Sequence, residues 1–243
     1  MLTACGNNQR KIEIVYQDQF LMALNKPAGL VVLNGPTVRG ETLEEWIRAH
    51  FPDLVFNQKH ERAGIVHRLD KETWGLILVA KNQSVFLSLQ QQFKERTIKK
   101  VYWALVWGNP PKEGRITAPV GRLPGRRLKW GVRPGGRPAI TDYQLKKKVL
   151  IGQQEYSLVE VRPLTGRTHQ IRVHFQYLGH PIFGDQFYGG RRERGRPMFL
   201  IAKELEFFHP KKQELLKLVI DLPRELLIWL NQDEKASEKA EGN

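Results

Sequence analysis

Asp70 stands in the run His67-Arg68-Leu69-Asp70-Lys71, one carboxylate among three cationic or near-cationic side chains, just ahead of the apolar stretch Gly75–Ala80. A carboxylate at the end of a strand serves as nucleophile, as general base, or only as a turn and capping group, and its position alone leaves all three open. Far along the chain, Arg167-Thr168-His169-Gln170-Ile171-Arg172 gathers donors suited to phosphate and carboxylate. Two such clusters imply one site, in which a guanidinium answers the charge of the acid. Other chemistries lack their residues. There is no Gly-x-x-x-x-Gly-Lys phosphate loop, no dinucleotide fingerprint and no cysteine cluster, Cys5 being the one cysteine. His169 and His174 are five residues apart, which puts them on different faces of a helix and on opposite faces of a strand, so no metal site is expected.

The chain that must position these residues has 243 of them, 41% hydrophobic and 26% charged, with 21 Gly and 14 Pro. That excludes a disordered, collagen-like or low-complexity polymer and is enough for one generous domain. The net charge of +14 attracts a polyanion: RNA, DNA or an acidic membrane surface. No uncharged apolar stretch approaches the ~20 residues that cross a bilayer. Leu2-Thr3-Ala4-Cys5 resembles a lipoprotein processing box, but no charged and apolar leader precedes it. A lone cysteine fits a reducing compartment, so a cytoplasmic location is expected.

Alternation in Ile12–Tyr16 and the run Phe20–Leu24 predict two strands joined by a short turn. Thr42-x-x-Glu45 is a capping box opening a helix that Pro52 ends. Gly75–Ala80 has no polar face and predicts a central strand covered on both sides. Ser84 is expected to cap a helix that turns Val85, Phe86, Leu89 and Phe93 inward and runs out in the basic stretch Lys94–Lys100. Further strands are expected at Val101–Trp107, Tyr156–Arg162, Phe199–Phe207 and Leu215–Ile220, with helices from near Thr168 and from Pro223 to Leu230. Between Pro119 and Arg137, six basic residues with several Gly and Pro and no acid predict an exposed basic arm with little to bury. Strands and helices mixed without strict alternation favour an α+β domain over a doubly wound sheet. Residues 1–11 are expected to be an extension, 12–230 one catalytic domain and 231–243 a disordered tail.

The string His67-Arg68-Leu69-Asp70-Lys71-Glu72-Thr73-x-Gly75-Leu76 resembles the signature of RluA-type RNA pseudouridine synthases. Three more family segments stand in the family's order: Asn25-Lys26-Pro27-Ala28-Gly29-Leu30-Val31-Val32, Lys100-Val101-Tyr102, and Arg162–His174, the last continued by Leu178–Ile182 and Gly184-Asp185. The resemblance covers about residues 12 to 223, and several long motifs in one order are far more specific than any single pattern.

The resemblance implies a mixed, largely antiparallel central sheet with flanking helices and a cleft, and neither cofactor nor metal. It implies Asp70 as the essential aspartate, Tyr102 as the aromatic that stacks on the target base, and Arg172 as the partner of the aspartate, with Arg68 beside the everted nucleotide. His67, Arg167, Thr168, His169 and Gln170 are expected to bind substrate near the reaction, and Arg122, Arg126, Arg127 and Lys129 to grip phosphates on the basic arm. Leu76, Ile77 and Leu164 are read as pocket walls or ordinary core. Trp74, where the family usually has Ser, leaves the shape of the pocket open; Ile201 and Leu33 stand where the family often has His. The expected partner is ribosomal or transfer RNA, bound by a monomer with no obligate protein partner and no membrane contact. With the catalytic region starting near Ile12, no N-terminal S4-type domain is expected and substrate choice falls to loops. Two other readings stay open: an RNA-binding module that no longer uses its carboxylate, and a base-excising hydrolase that also everts a nucleotide.

Overall fold

A computed structural model of the chain describes residues 11–54, 62–125, 129–189, 193 and 195–231. Its frame is a nine-stranded sheet. Eight strands follow one another as β1 (Glu13–Gln17), β2 (Leu21–Lys26), β3 (Trp74–Ala80), β10 (Leu200–Phe208), β4 (Lys99–Trp107), β9 (Gln154–Pro163), β8 (Ile140–Ile151) and β5 (Glu113–Thr117), and β11 (Leu215–Val219) also pairs with β10. Only β3 and β10 run parallel; every other pairing in the sheet is antiparallel. The fold is therefore α+β, with a mixed, largely antiparallel sheet.

The uninterrupted apolar run of β3 fills two cores at once. Leu76, Leu78 and Ala80 face a layer that includes Val85, Phe86 and Leu89 of α2 (Gln83–Glu95). Ile77 and Val79 face Leu43 and Ile47 of α1 (Leu43–His50). Period-two alternation separates the two sets, and both are removed from water because helices cover both faces. α1 opens on the expected capping box: the Thr42 hydroxyl accepts the Glu45 N–H and the Glu45 carboxylate accepts the Thr42 N–H. Further along, α3 (Gln170–Tyr177) packs Ile171 and Phe175 against Ala104, Val106, Val159 and Val161 of β4 and β9. α4 (Arg224–Leu230) covers Leu105 and Leu158 from the other face.

Several expectations fail for identifiable reasons. α2 is capped by Asn82, whose carboxamide oxygen accepts the Val85 N–H, while Ser84 donates to that same oxygen. β8 and β5 were not expected. The Lys146-Lys147-Lys148 run hides the alternation of β8, which is broken by a bulge between Leu145 and Lys147, and β5 is an edge strand with little apolar surface. The basic arm is a hairpin with its own small core. β6 (Val120–Arg122) pairs with β7 (Trp130–Val132), and fully buried Val120 packs with Ala139, Val173 of α3 and Tyr188. The expected disordered tail and N-terminal extension lie outside the described residues, apart from Lys11 and Asn231.

Gly75 makes the parallel junction possible. Its φ of +117° is a conformation that only glycine adopts freely, and a Cβ there would stand 2.4 Å from the Ala202 carbonyl oxygen. Gly75, Ala202 and Tyr102 are successive partners across β3, β10 and β4, so this approach sets how the loop bearing Asp70 sits beside Tyr102. Gly75→Ala is expected to cost about 1–3 kcal/mol in backbone strain, with a comparable further loss from the clash. Chemical denaturation checks it: an unchanged midpoint would contradict the role given to this glycine.

Candidate active site

Asp70 lies in the loop before β3, and two devices hold that loop. The Thr73 N–H donates to the Asp70 carbonyl at 3.1 Å. Beneath it, the fully buried Lys26 ammonium donates to the carbonyls of Pro27, Leu30 and Lys71 at 2.8, 3.0 and 3.0 Å. A cation with three carbonyl acceptors is a satisfied one, and it staples the turn after β2 to the residue next to Asp70.

Arg172 comes to the same place from the buried face of α3. Its Nη1 donates to Asp70 Oδ2 at 3.2 Å, while Nε and Nη2 make a bidentate pair with Asp185 at 2.7 and 2.9 Å. Asp185 is itself fixed, since its Oδ1 accepts the backbone N–H groups of Phe187 and Tyr188. Burial works against the charge of Arg172, but the bonds and charges of Asp185 and Asp70 outweigh it and raise its pKa further. The guanidinium is a permanent cation. One guanidinium thus serves two carboxylates: Asp185 aims it and Asp70 receives what remains.

Tyr102 projects from β4 into the same cleft, which Arg68, Leu69, Asp70, Tyr102, Arg167 and Arg172 help to line. Burial, and then the charge of Asp70, raise the Tyr102 pKa, so its ring meets a ligand as a neutral phenol. His169, held at φ +55° at the start of α3, points Nε2 at Asp70 Oδ2 from 3.9 Å. Its Nδ1 contacts the Tyr188 hydroxyl at 2.9 Å, and that hydroxyl also accepts the Trp130 N–H of β7. Burial is the largest influence on His169 and lowers its pKa, with the Asp70 charge opposing. The Tyr188 ring also lies 5.0 Å from the Arg172 guanidinium carbon and 5.7 Å from the Lys129 ammonium, so one tyrosine ties the basic hairpin to the ion pair.

The structure brings Asp70, Tyr102, Arg172, Arg68, Arg167, Thr168 and His169 around one cleft, and removes others from it. His67 belongs to the core side: its Nε2 accepts the Leu78 N–H at 2.9 Å and its ring packs on Phe93 at 4.5 Å. Gln170 borders the cleft, yet its carboxamide is spent on Thr165, Arg167, Ile140 and Thr141, bracing α3 against β8. Arg122 is exposed on the hairpin, stacked over Trp130 at 5.5 Å. Arg126 and Arg127 lie outside the described residues. Leu76 and Ile77 are core, Leu164 is exposed, and the apolar walls are instead Leu69, Pro163, Ile171 and Leu200. Trp74 packs on the opposite face of the sheet, so its bulk does not reach the cleft. Sequence reasoning assigned no role to Lys26, Asp185 or Tyr188. For Asp185 the signal was there, an acid after a glycine downstream of the arginine-rich helix, but the pairing is long-range. His174 bonds Thr141 and the Ala118 carbonyl, away from His169, and no group of three potential metal ligands occurs among the described residues. Nor is any helix among them long and apolar enough to cross a membrane.

Comparison with known proteins decides among the open readings. Residues 20–177 match the family model described as RNA pseudouridylate synthase. The chain belongs to that family. It is 40% identical over 231 residues to an RNA pseudouridine synthase of Synechocystis, covering 91% of this chain and 69% of that one. It is 39% identical over 228 residues to ribosomal large subunit pseudouridine synthase D of Neisseria meningitidis serogroup A, covering 88% of this chain and 59% of that one. Among solved structures, human RNA pseudouridylate synthase domain containing 1 superposes with a TM-score of 0.74 at 27% identity, covering 99% of this chain and 98% of that chain. This pseudouridine synthase is thus an isomerase, and neither the binding-module nor the hydrolase reading is favoured.

The position of His67 gives a pH dependence with a definite sign. Burial, and then the charge of Lys100, lower its pKa from 6.5 to about 3. Because the folded value lies below the unfolded one, the unfolded chain takes up the proton first. The stability that His67 contributes is complete above about pH 6.5 and is lost as pH falls toward 3. His67→Gln, which can still accept the Leu78 N–H but does not titrate, is expected to flatten the melting-temperature profile over that window. Parallel profiles for the two proteins would refute it.

Proposed function

We propose that Asp70 carries the isomerisation of a uridine everted into this cleft, in ribosomal RNA, with Tyr102 stacked on the base and Arg172 holding the carboxylate. The observation that supports it most is the 3.2 Å contact between Arg172 and Asp70 at the floor of a cleft shared with Tyr102. Ribosomal RNA is favoured because curated relatives at 39% identity are named large-subunit synthases D and C.

The glycosidic bond of a uridine in folded RNA is hidden, and exposing it costs a few kcal/mol of unstacking. The Tyr102 ring returns part of that, about 1–3 kcal/mol if it stacks as aromatic platforms do. The reaction then breaks N1–C1′, turns the uracil and joins C5 to C1′; the proton on C5 is lost and N1 gains one. Asp70 serves either by attacking C1′ or by removing the proton at C2′, and both roles use the carboxylate. A charged carboxylate in a partly dry cleft needs a partner, and Arg172 supplies it without taking a proton. Leu69, Ile171 and Leu200 limit the water that would otherwise capture C1′ and leave an abasic site.

Asp70→Asn keeps size and hydrogen bonding but removes the charge, and it is expected to lower pseudouridine formation on a large-subunit ribosomal transcript by about 10²–10⁴-fold while RNA binding persists. Arg172→Lys is expected to fail nearly as badly, because one ammonium cannot hold Asp185 bidentately and reach Asp70. Pseudouridine mapping of the transcript reads both, and full modification by the Asp70 variant would end the proposal.

A further inference from the structure

Lys100 stands two residues before Tyr102 on β4, so both side chains leave the same face of the strand, about 7 Å apart along it. Both line the cleft, together with Arg167. Their neighbour Lys99, on the opposite face, is paired with Glu206. Lys100 has no such partner: among the described residues it makes no hydrogen bond or ion pair, although it is half-buried. The charges that act on it most are cations. Burial, then Arg96 and Arg167, lower its pKa to about 8, and Arg167 is in turn disfavoured by burial, Arg137 and Arg96. Arg96 is held in place by the left-handed end of α2, at φ 63°. The Arg167 guanidinium gives only its Nε to the described residues, to the Pro138 carbonyl.

Repulsion between exposed cations is cheap, but a half-buried, unpaired ammonium among guanidinium groups is less so. Such a group is stabilised when an anion arrives. In RNA that anion is the phosphodiester. A base resting on Tyr102 with its sugar at Asp70 leaves its flanking phosphates within one nucleotide's reach, the distance that separates Lys100 from Tyr102. We infer that Lys100 and Arg167, with the exposed Arg96 beside them, form a phosphate subsite in the cleft for the RNA backbone next to the everted uridine, distinct from the hairpin that carries Arg122 and Lys129. This rests on the proposed function and adds where the strand is held during eversion.

The test uses a large-subunit ribosomal transcript, filter binding over a salt series, and pseudouridine formation measured separately. Lys100→Met is expected to weaken binding about tenfold or more at low salt and to flatten the plot of log affinity against log salt by about 0.7–0.9, the signature of one lost phosphate contact. Lys100→Arg, which keeps the charge, is expected to hold the wild-type slope, as is Lys148→Met on exposed β8. Replacing a repelled cation by methionine is expected to leave the melting temperature unchanged or higher. Should the Met variant still fail to fold, Arg167→Gln is expected to flatten the slope by the same amount. A wild-type slope in Lys100→Met or Arg167→Gln, or equal losses in Lys100→Arg and Lys100→Met, overturns the subsite. Wild-type protein that binds the transcript but leaves no pseudouridine in it would instead overturn the proposed function, and the slopes would still decide the subsite.

Discussion

A single buried guanidinium shared by two carboxylates is the interaction on which the rest of this structure depends. Arg172 is 5% exposed and Asp185 2%, so neither charge has water to fall back on, and each would be costly alone. Asp185 answers that cost with a bidentate pair and two backbone N–H groups of its own. The remaining donor, Nη1, is then aimed by a rigid fork instead of a flexible stem, and it meets Asp70 on the cleft side. Asp70, the proposed catalytic acid, is therefore held by a partner anchored from behind. Lys26 and Gly75 complete the placement from below: one fixes the loop after Asp70 through the Lys71 carbonyl, and the other lets β3 approach β10 closely enough to set Asp70 beside Tyr102.

Much of this arrangement was legible in the sequence, and the unread parts have common causes. The capping box at Thr42, the two-sided run Gly75–Ala80 and the helix carrying Ile171 and Phe175 declare themselves through local spacing, and they appear where the spacing puts them. Asp70, Tyr102 and Arg172 stood out through the motifs around them, and the cleft does gather them. His67 misled because a histidine beside an aspartate looks like chemistry. Whether its ring turns to the cleft or to Leu78 is decided by the loop's path, which composition does not encode. β8 was missed because three successive lysines interrupt its alternation; what makes it a strand is ladder pairing with β9 and β5 on either side, a tertiary fact that overrides local pattern. Asp185 was present only as a motif letter, and Tyr188 in no motif, because their importance lies in what they touch far away.

The hairpin shows how a charged segment can be both exposed and specified. A loop of arginines and glycines has no reason to adopt one position unless part of it is buried. Val120 supplies that part, and the Trp130 N–H bond to the Tyr188 hydroxyl ties the hairpin to the residue whose ring also lies against Arg172. One aromatic side chain thus touches the hairpin, His169 and Arg172. The coupling is short, contiguous and made of directional bonds, which is the kind of connection through which binding at one surface orders another.

The net charge of +14 takes on meaning only when it is located. On β5, β8 and β9, and where β10 meets β11, basic side chains are answered by acids: Arg115 by Asp142, Lys146 and Arg162 by Glu160, Lys217 by Glu204. Such surface pairs stabilise little, but each offsets the charge of its own cation. Lys100, Arg68 and Arg167 line the cleft and have no carboxylate partner among the ion pairs of the described residues, and the one acid beside them, Asp70, is already engaged by Arg172. The cleft is thus one place where positive charge gathers without a carboxylate partner among the ion pairs of the described residues. A low-dielectric wall then focuses that field outward toward an approaching phosphate backbone. On the proposed mechanism the carboxylate keeps a guanidinium of its own, because only Arg172 is fixed from behind by Asp185, and the other cations of the cleft are left for the RNA backbone.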